Sequence, residues 1–370
     1  MSKIKAFIKK YVPVFALVAA ALLILTLVFA AIAETSSGFA EFIDFGISDV
    51  LRRALALVTG FLPFSLAEML LLLVPLILTF IVVITVKVVK DKLQLIRFSV
   101  GTLAIFAFVY SSYFFTLGVA YKTPSLSGYL ELDECEITAQ NLSEAIEILK
   151  SEAEALLDDI EYMESGSSVC LLSVAELSRE ISKGYSRLIA DYEGLPISDF
   201  SSRAKPVLMS RGLSAFEILG IYTFFTGESN VNTYYPDYTL PFTVAHEFAH
   251  QRGVGRENEA NFLAFLVCIR TDDPYIKYSG YVNMYEYIAS SLRKTDKDAL
   301  SAIYDSTDDR IIGELIAYSE FYYANKNELL SEISDATNDW YLKNQGTEGV
   351  ISYGLVTKLC IYYFNTEGAR

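Results

Sequence analysis

Long apolar runs separated by short polar segments occupy the first third of the chain. Residues 11–33, 66–86 and 98–121 form three such runs, and each is long enough to cross a bilayer as a helix, which takes about 20 residues. They predict a three-helix transmembrane region over residues 1–121. The tripeptide Ala31-Ile32-Ala33 resembles a signal-peptidase site, so the first run could instead be a cleaved signal peptide. Its apolar stretch exceeds the usual ~7–15 residues, which favours a retained membrane helix.

Basic residues cluster at two of the polar boundaries. The clusters lie before the first run and between the second and third, at Lys3, Lys5, Lys9, Lys10, Lys87, Lys90, Lys92 and Arg97. Cytoplasmic segments are enriched in Lys and Arg. The chain is therefore expected to be a multi-pass protein of the cell membrane, with a cytoplasmic N-terminus and an extracytoplasmic region from about residue 122.

Residues 47–62 follow a different, amphipathic pattern. Leu51, Leu55 and Val58 recur at helical spacing, with Arg52 and Arg53 opposite them. This pattern predicts a helix along the outer membrane interface. A core helix packed against the spans would give the same pattern.

Beyond residue 122 the apolar spacing is typical of helices of globular length. A 3.6-residue stripe covers residues 138–163, and Ser173 with Glu176 forms a capping box. Residues 205–240 predict a short hairpin or meander, and helical patterns resume at 241–252, 256–270, 274–293, 309–340 and 350–363. The predicted fold is mainly α with a small β element, in an extracytoplasmic domain spanning residues 122–370.

Charge separates the two parts further. Residues 1–120 carry 10 basic and 6 acidic side chains, and the remainder carries 20 basic and 39 acidic ones. Such an acidic region would be repelled by phosphate backbones, which excludes nucleic acid as a partner. A hydrophobic content of 52% excludes intrinsic disorder. The four cysteines show no C-x-x-C spacing, which argues against a thiolate zinc site.

The only two histidines fall in one pentapeptide, His246-Glu247-Phe248-Ala249-His250. On a helix, positions i and i+4 share a face, so His246 and His250 can bind one Zn²⁺. Glu247 then lies beside the open coordination position, where it can accept a proton from water. The pattern predicts a catalytic zinc site.

A catalytic zinc requires a third protein ligand, and no further histidine exists. Glu257 and Glu259 begin the next apolar helix, and Gly253 and Gly255 would let the chain turn back towards the metal. Helical phase favours Glu257, because Asn261 lies one turn beyond it and could orient a ligating imidazole. Glu259 remains the alternative.

Glu followed four residues later by Asn, after HExxH, resembles the gluzincin class of zinc metallopeptidases, although that class usually has a longer linker than the six residues here. More closely, the chain resembles a family of uncharacterised bacterial multi-pass membrane proteins, a domain of unknown function. The motifs that carry this resemblance are GIYTFFTGESNVN, LPFTVAHEFAHQRG, ENEANFLAFLVC, YSGY at 278–281 and GVISYG at 349–354. The resemblance implies a membrane-tethered zinc peptidase with a zincin-like domain.

An acyl-transfer site also needs a group that stabilises the oxyanion. Tyr278 is the first choice, with Arg252 and Arg256 as rivals. The segment 221–235 is either a strand whose edge pairs with the extended backbone of the substrate, which is called β-addition, or a purely structural hairpin.

Two functions remain at this stage. The first is a membrane-anchored zinc metallopeptidase that hydrolyses an extracytoplasmic polypeptide. The alternative is a non-catalytic receptor or scaffold with a structural zinc site, in which Glu259 supplies a fourth ligand. Cleavage within the membrane is disfavoured, because about 125 residues separate the third span from the motif.

Overall fold

The computed structural model describes residues 12–164, 166–346 and 355–368. Its N-terminal part contains α1 (Val14–Thr35), α2 (Ser37–Ile43), a π-helical turn (Asp44–Ser48), α3 (Asp49–Gly60), α4 (Leu66–Val88) and α5 (Lys92–Thr116). Among the described residues, α1, α4 and α5 are the three helices long and apolar enough to cross a membrane. They indicate that the chain associates with a membrane.

The three apolar helices match the predicted runs, with one shift at α5. Its first residue is Lys92 and not residue 98, because the Asp91 side chain accepts hydrogen bonds from the Leu93 and Gln94 amides and so caps the helix. The helix ends at Thr116, and a 3₁₀ turn follows over Gly118–Lys122. Helix α1 packs lengthwise along α5.

The segment between α1 and α4 differs from its prediction in one respect. Arg52 is fully buried and pairs with Asp44, with 2.6 Å between Nη1 and Oδ1. The sequence pattern placed Arg52 and Arg53 together opposite the apolar residues; the structure separates them, because Asp44, across the π-helical turn, gives Arg52 a buried partner while Arg53 is 47% exposed. The apolar residues Leu57 and Val58 are exposed instead.

After α5 the chain forms α6 (Leu126–Tyr129), α7 (Ala139–Glu154), a 3₁₀ turn (Leu157–Asp159) and α8 (Val174–Asp191). The capping box of Ser173 and Glu176 is confirmed at the start of α8. Helix α7 is shorter than the predicted 138–163, because the chain leaves the helix at the 3₁₀ turn.

A three-stranded sheet follows, built from β1 (Ala204–Pro206), β2 (Gly220–Thr223) and β3 (Glu228–Val231), with the short helix α9 (Ser210–Ser214) after β1. The strand order is β1-β3-β2. The antiparallel β2–β3 hairpin confirms the prediction. Strand β1, which pairs in parallel with β3, was not predicted because its three residues are too few to show alternation.

The remaining helices are α10 (Thr239–Gln251), α11 (Glu257–Cys268), α12 (Pro274–Thr295), α13 (Lys297–Ser306), α14 (Asp309–Asn325), α15 (Glu328–Asn344) and α16 (Leu355–Gly368). The predicted helix 309–340 is two helices, because the Asn327 side chain caps a new one. The motif at 349–354 lies outside the described residues. Helices α10 and α11 form the centre of the main core.

Hydrogen bonds join the N-terminal part to the sheet region. The Glu228 carboxylate accepts from the amides of Leu66 and Ala67 at the start of α4. In return, Glu68 accepts from the amides of Leu208 and Met209. The predicted domain boundary between residues 121 and 122 stays a prediction. These hydrogen bonds show that the two parts on either side of it are in contact.

Candidate metal centre

The HExxH pentapeptide occupies the last turns of α10, and a turn built on glycine ends that helix. Gly253 has φ +96°, a conformation that favours glycine. Its amide donates to the His250 carbonyl, and the Val254 amide donates to the Ala249 carbonyl, which is the Schellman pattern of a helix C-terminus. The predicted turn at Gly253 is therefore confirmed, and the chain reverses to begin α11 at Glu257.

This reversal brings together His246, His250 and Glu257, which we call the triad. The Nε2 atoms of His246 and His250 are 3.1 Å apart. Glu257 Oε2 lies 3.3 Å from Nε2 of His246, and Oε1 lies 3.6 Å from Nε2 of His250. Ligands at zinc bond lengths in a tetrahedron are separated by about 3.3 Å. One ligand atom from each of the three residues can be chosen so that all lie within 4.8 Å of one another, close enough to bind one metal ion.

Hydrogen bonding fixes the tautomer of one imidazole. Nδ1 of His250 is 2.7 Å from the Val254 carbonyl oxygen. A carbonyl only accepts, so Nδ1 carries the hydrogen and Nε2 is left free to bind a metal. The prediction that Asn261 orients an imidazole has no such support: its amide nitrogen and Nδ1 of His246 are both buried without a partner among the described residues.

Glu259, the alternative third ligand, is used elsewhere. Its carboxylate accepts from the Leu126 amide at 3.0 Å and lies 3.3 Å from the Arg256 guanidinium. Helical phase explains the difference, because two residues along α11 turn the side chain to another face. Glu259 therefore ties α11 to α6, and the triad contains Glu257.

Glu247 lies buried against the first residue of β2. A Cβ atom on Gly220 would lie 2.5 Å from Oε1 of Glu247, so only glycine fits there without moving the carboxylate. The second oxygen, Oε2, has no hydrogen-bond partner among the described residues. Burial raises the pKa of Glu247 to about 6, with the charge of Glu257 adding to the effect and both histidines opposing it.

The groups of the triad shift one another's pKa. Burial opposes the charging of His250, but the charge and hydrogen bond of Glu257 outweigh it and raise the pKa of His250 to about 9. Burial likewise opposes ionisation of Glu257, but the two histidines hold the pKa of its carboxyl far below the usual value. A metal ion bound at Nε2 of His250 would therefore replace a proton that the Glu257 carboxylate otherwise favours there.

Tyr278 is not brought to the triad. Its hydroxyl lies 3.3 Å from that of Tyr162 and its ring packs on Tyr275, in a separate cluster of buried side chains that includes Tyr238 and Ile311. Burial, and after it the charge of Glu314, raises the pKa of Tyr278. These contacts give Tyr278 a packing role, and its assignment as an oxyanion donor stays a prediction without support from a contact to the triad.

The two rival arginines also have other partners. Arg252 is buried over the Tyr185 and Phe200 rings, at 4.1 and 4.5 Å, and donates to the Phe200 carbonyl. Arg256 donates to the carbonyls of Tyr121 and Thr123, just after α5. Both guanidinium groups hold backbone in place.

Three tyrosines that the sequence did not single out are close enough to sense the charge of Glu257. Burial is the largest cause of the raised pKa of Tyr121, Tyr341 and Tyr287, and the charge of Glu257 is one of the smaller causes that add to it. Tyr121 and Tyr341 are also in ring contact, with centroids 6.0 Å apart. With 25 tyrosines in the chain, no local pattern distinguishes these from the rest.

Comparison with known proteins gives one match. The family described as "Protein of unknown function (DUF3810)" matches residues 45–361. No curated protein and no solved structure matches.

Proposed function

Because the chain belongs to the DUF3810 family of proteins of unknown function, whose description assigns no activity, we propose a function from the site itself. The protein is a membrane-anchored zinc metallopeptidase that hydrolyses an extracytoplasmic polypeptide. The observation that carries this proposal is the spacing of the His246, His250 and Glu257 donor atoms, 3.1–3.6 Å, beside the unpartnered oxygen of Glu247.

The donor set suits zinc. Two imidazoles and one carboxylate, with a position left for water, are typical of hydrolytic zinc sites. When bound, the ion would polarise the substrate carbonyl and lower the pKa of water to near 7.

Glu247 is the general base in this proposal. Its free oxygen accepts a proton from the attacking water, whose oxygen bonds to the peptide carbonyl carbon. The carbon–nitrogen bond then breaks, and Glu247 returns the proton to the departing amine. The hydroxyls of Tyr121 and Tyr341 are the proposed donors to the carbonyl oxygen, because Tyr121 packs against the α10–α11 turn at Gly255 and its ring contacts that of Tyr341, with centroids 6.0 Å apart.

The edge of the sheet is the proposed substrate-binding surface. Strand β2 has one neighbour, β3, in the three-stranded sheet, and its first residue, Gly220, touches Glu247. An extended peptide could pair with the open edge and cross the triad. We further propose the topology that the basic clusters favour, with the triad on the extracytoplasmic side.

Hydrolysis of a generic unstructured polypeptide by the purified full chain tests the proposal. Zinc-loaded wild type should release new amino termini, and Glu247→Gln should abolish this while retaining zinc. Gly220→Ala should lower the rate about 10²-fold with zinc retained, because it displaces the Glu247 carboxylate. Gly212→Ala is the matched control, since its Cβ would make only ordinary contact with Met209. Zinc binding without hydrolysis would support the structural-zinc alternative.

A further inference from the structure

The triad lies next to the residues that leave α5. A Cβ on Gly255, between the second histidine and Glu257, would lie 3.0 Å from the Tyr121 amide nitrogen. Arg256 donates to the Tyr121 carbonyl at 3.2 Å. Helix α5 has 25 residues and is about 37 Å long, so its end lies at or just beyond the surface of a bilayer whose apolar core is ~30 Å thick.

The other side of the site is held by the beginning of α4. Glu228, the first residue of β3, accepts from the amides of Leu66 and Ala67. A Cβ on Gly227, in the β2–β3 turn, would lie 2.5 Å from Cβ of Leu55 in α3. The proposed substrate-binding hairpin is therefore attached where α4 begins, and the triad where α5 has ended.

Two helices beside these attachment points expose apolar faces. In α3, Val50 and Leu57 are exposed while Arg52 and Thr59 face inward. In α15, Leu329, Ile333 and Trp340 are exposed and fall on one face. Helix α3 continues into the membrane-length α4 after five residues, and Tyr341 of α15 contacts Tyr113 near the end of α5, with 3.2 Å between the hydroxyls. A bilayer interface is the surface that suits both faces.

We infer that the substrate is a polypeptide anchored in the same bilayer, cut a few residues from where it leaves the membrane. The inference rests on the proposed peptidase function and narrows its substrate class. About 125 residues separate the third span from the HExxH motif in the sequence, but the two are close in space, because the α10–α11 turn packs on Tyr121. Sharing a bilayer would also give such a substrate a high effective concentration at the triad.

The location of the site can be measured without activity. Trp340 is the single tryptophan of the chain and is 67% exposed, so its emission reports on α15 alone. In liposomes containing full-length protein, lipids brominated near the headgroup should lower that emission at least about twofold, as at an interfacial Trp. In a Trp340→Phe, Ile148→Trp control, the reporter lies on α7, which packs on α12 and α13, and emission should change little. Unquenched Trp340 overturns the inference and leaves the peptidase proposal standing.

The substrate class is tested with one unstructured polypeptide in two forms, free in solution and attached at one end to a lipid. Full-length enzyme in liposomes should cut the attached form at least about tenfold faster. Its cuts, mapped by mass spectrometry, should fall within about 10 residues of the anchor, the reach of ~30 Å of extended chain. Glu247→Gln should cut neither. Equal rates with dispersed cuts refute the inference alone, whereas no cutting of either form refutes the peptidase function as well.

Discussion

Two amphipathic helices, α8 and α3, pack against α10. The first buries its apolar face and the second buries its polar face. Helix α8 buries the apolar residues Leu177, Ile181 and Leu188. Helix α3 buries Asp49, Arg52 and Thr59 and exposes Leu57 and Val58. An outward apolar face is stable against lipid and not against water. This contrast fits the inference that α3 faces the bilayer, with the HExxH helix between α3 and α8.

The two helices also hold α10 by different interactions. On the α8 side, the Tyr185 hydroxyl donates to the Ala245 carbonyl at 2.7 Å. On the α3 side, a Cβ on Gly253 would overlap Nη2 of Arg52, so the buried ion pair packs directly on the turn that ends α10. The two helices should therefore respond to substitution in opposite ways. In α3, stability should depend on the polar side chains of the inner face, whereas in α8 it should depend on the apolar ones.

The largest effect is expected at Arg52. Arg52→Ala leaves the buried Asp44 carboxyl without its cationic partner, which should cost about 3–5 kcal/mol and disturb the turn at Gly253, lowering both the melting temperature and zinc retention in detergent. Arg179→Ala in α8 is the control, because its 3.8 Å ion pair with Glu176 joins two exposed side chains, 66% and 47%, and its melting temperature should stay close to that of wild type. Equal effects of the two substitutions would contradict the inward polar face of α3.

The next effect concerns apolar side chains at the two faces. Ile181→Ala opens a cavity in the main core and should cost about 2–4 kcal/mol, whereas Leu57→Ala removes an exposed side chain of α3 and should leave the melting temperature in detergent nearly unchanged. Thermal unfolding followed by circular dichroism compares them. A Leu57 variant as unstable as the Ile181 variant would mean that α3 has an ordinary buried apolar face.

The smallest effect is expected at Tyr185. Tyr185→Phe keeps the ring under Arg252 and removes only the hydrogen bond to Ala245, which should cost about 1 kcal/mol with zinc retained. A loss of zinc in this variant would show that the α8 side positions the histidines more strongly than the α3 side does.

Local patterns in the sequence were sufficient for features fixed within a few residues. The i, i+4 spacing of His246 and His250, the glycine at 253 and the helical phase of Glu257 all concern one turn of helix or one reversal of the chain. The three proposed ligands all lie on α10 and α11, on the two sides of one reversal of the chain.

Features set by long-range contacts were not accessible in this way. The burial of Arg52 depends on the π-helical turn that presents Asp44, and β1 depends on pairing with β3 more than twenty residues later. The choice of a tyrosine as oxyanion donor is limited in the same way, because which of 25 tyrosines lies near the triad depends on how the end of α5 and α15 pack around it.

The zinc content of the full-length protein tests the central claim most directly. Glu257→Gln and Glu259→Gln are compared with wild type by elemental analysis. The second substitution is a fair control, because its side-chain amide oxygen can still accept from the Leu126 amide and keep α11 in place. We expect about one zinc per chain in wild type and in Glu259→Gln, and a large loss in Glu257→Gln. Wild type without zinc after zinc is supplied, or a loss confined to Glu259→Gln, would contradict the account.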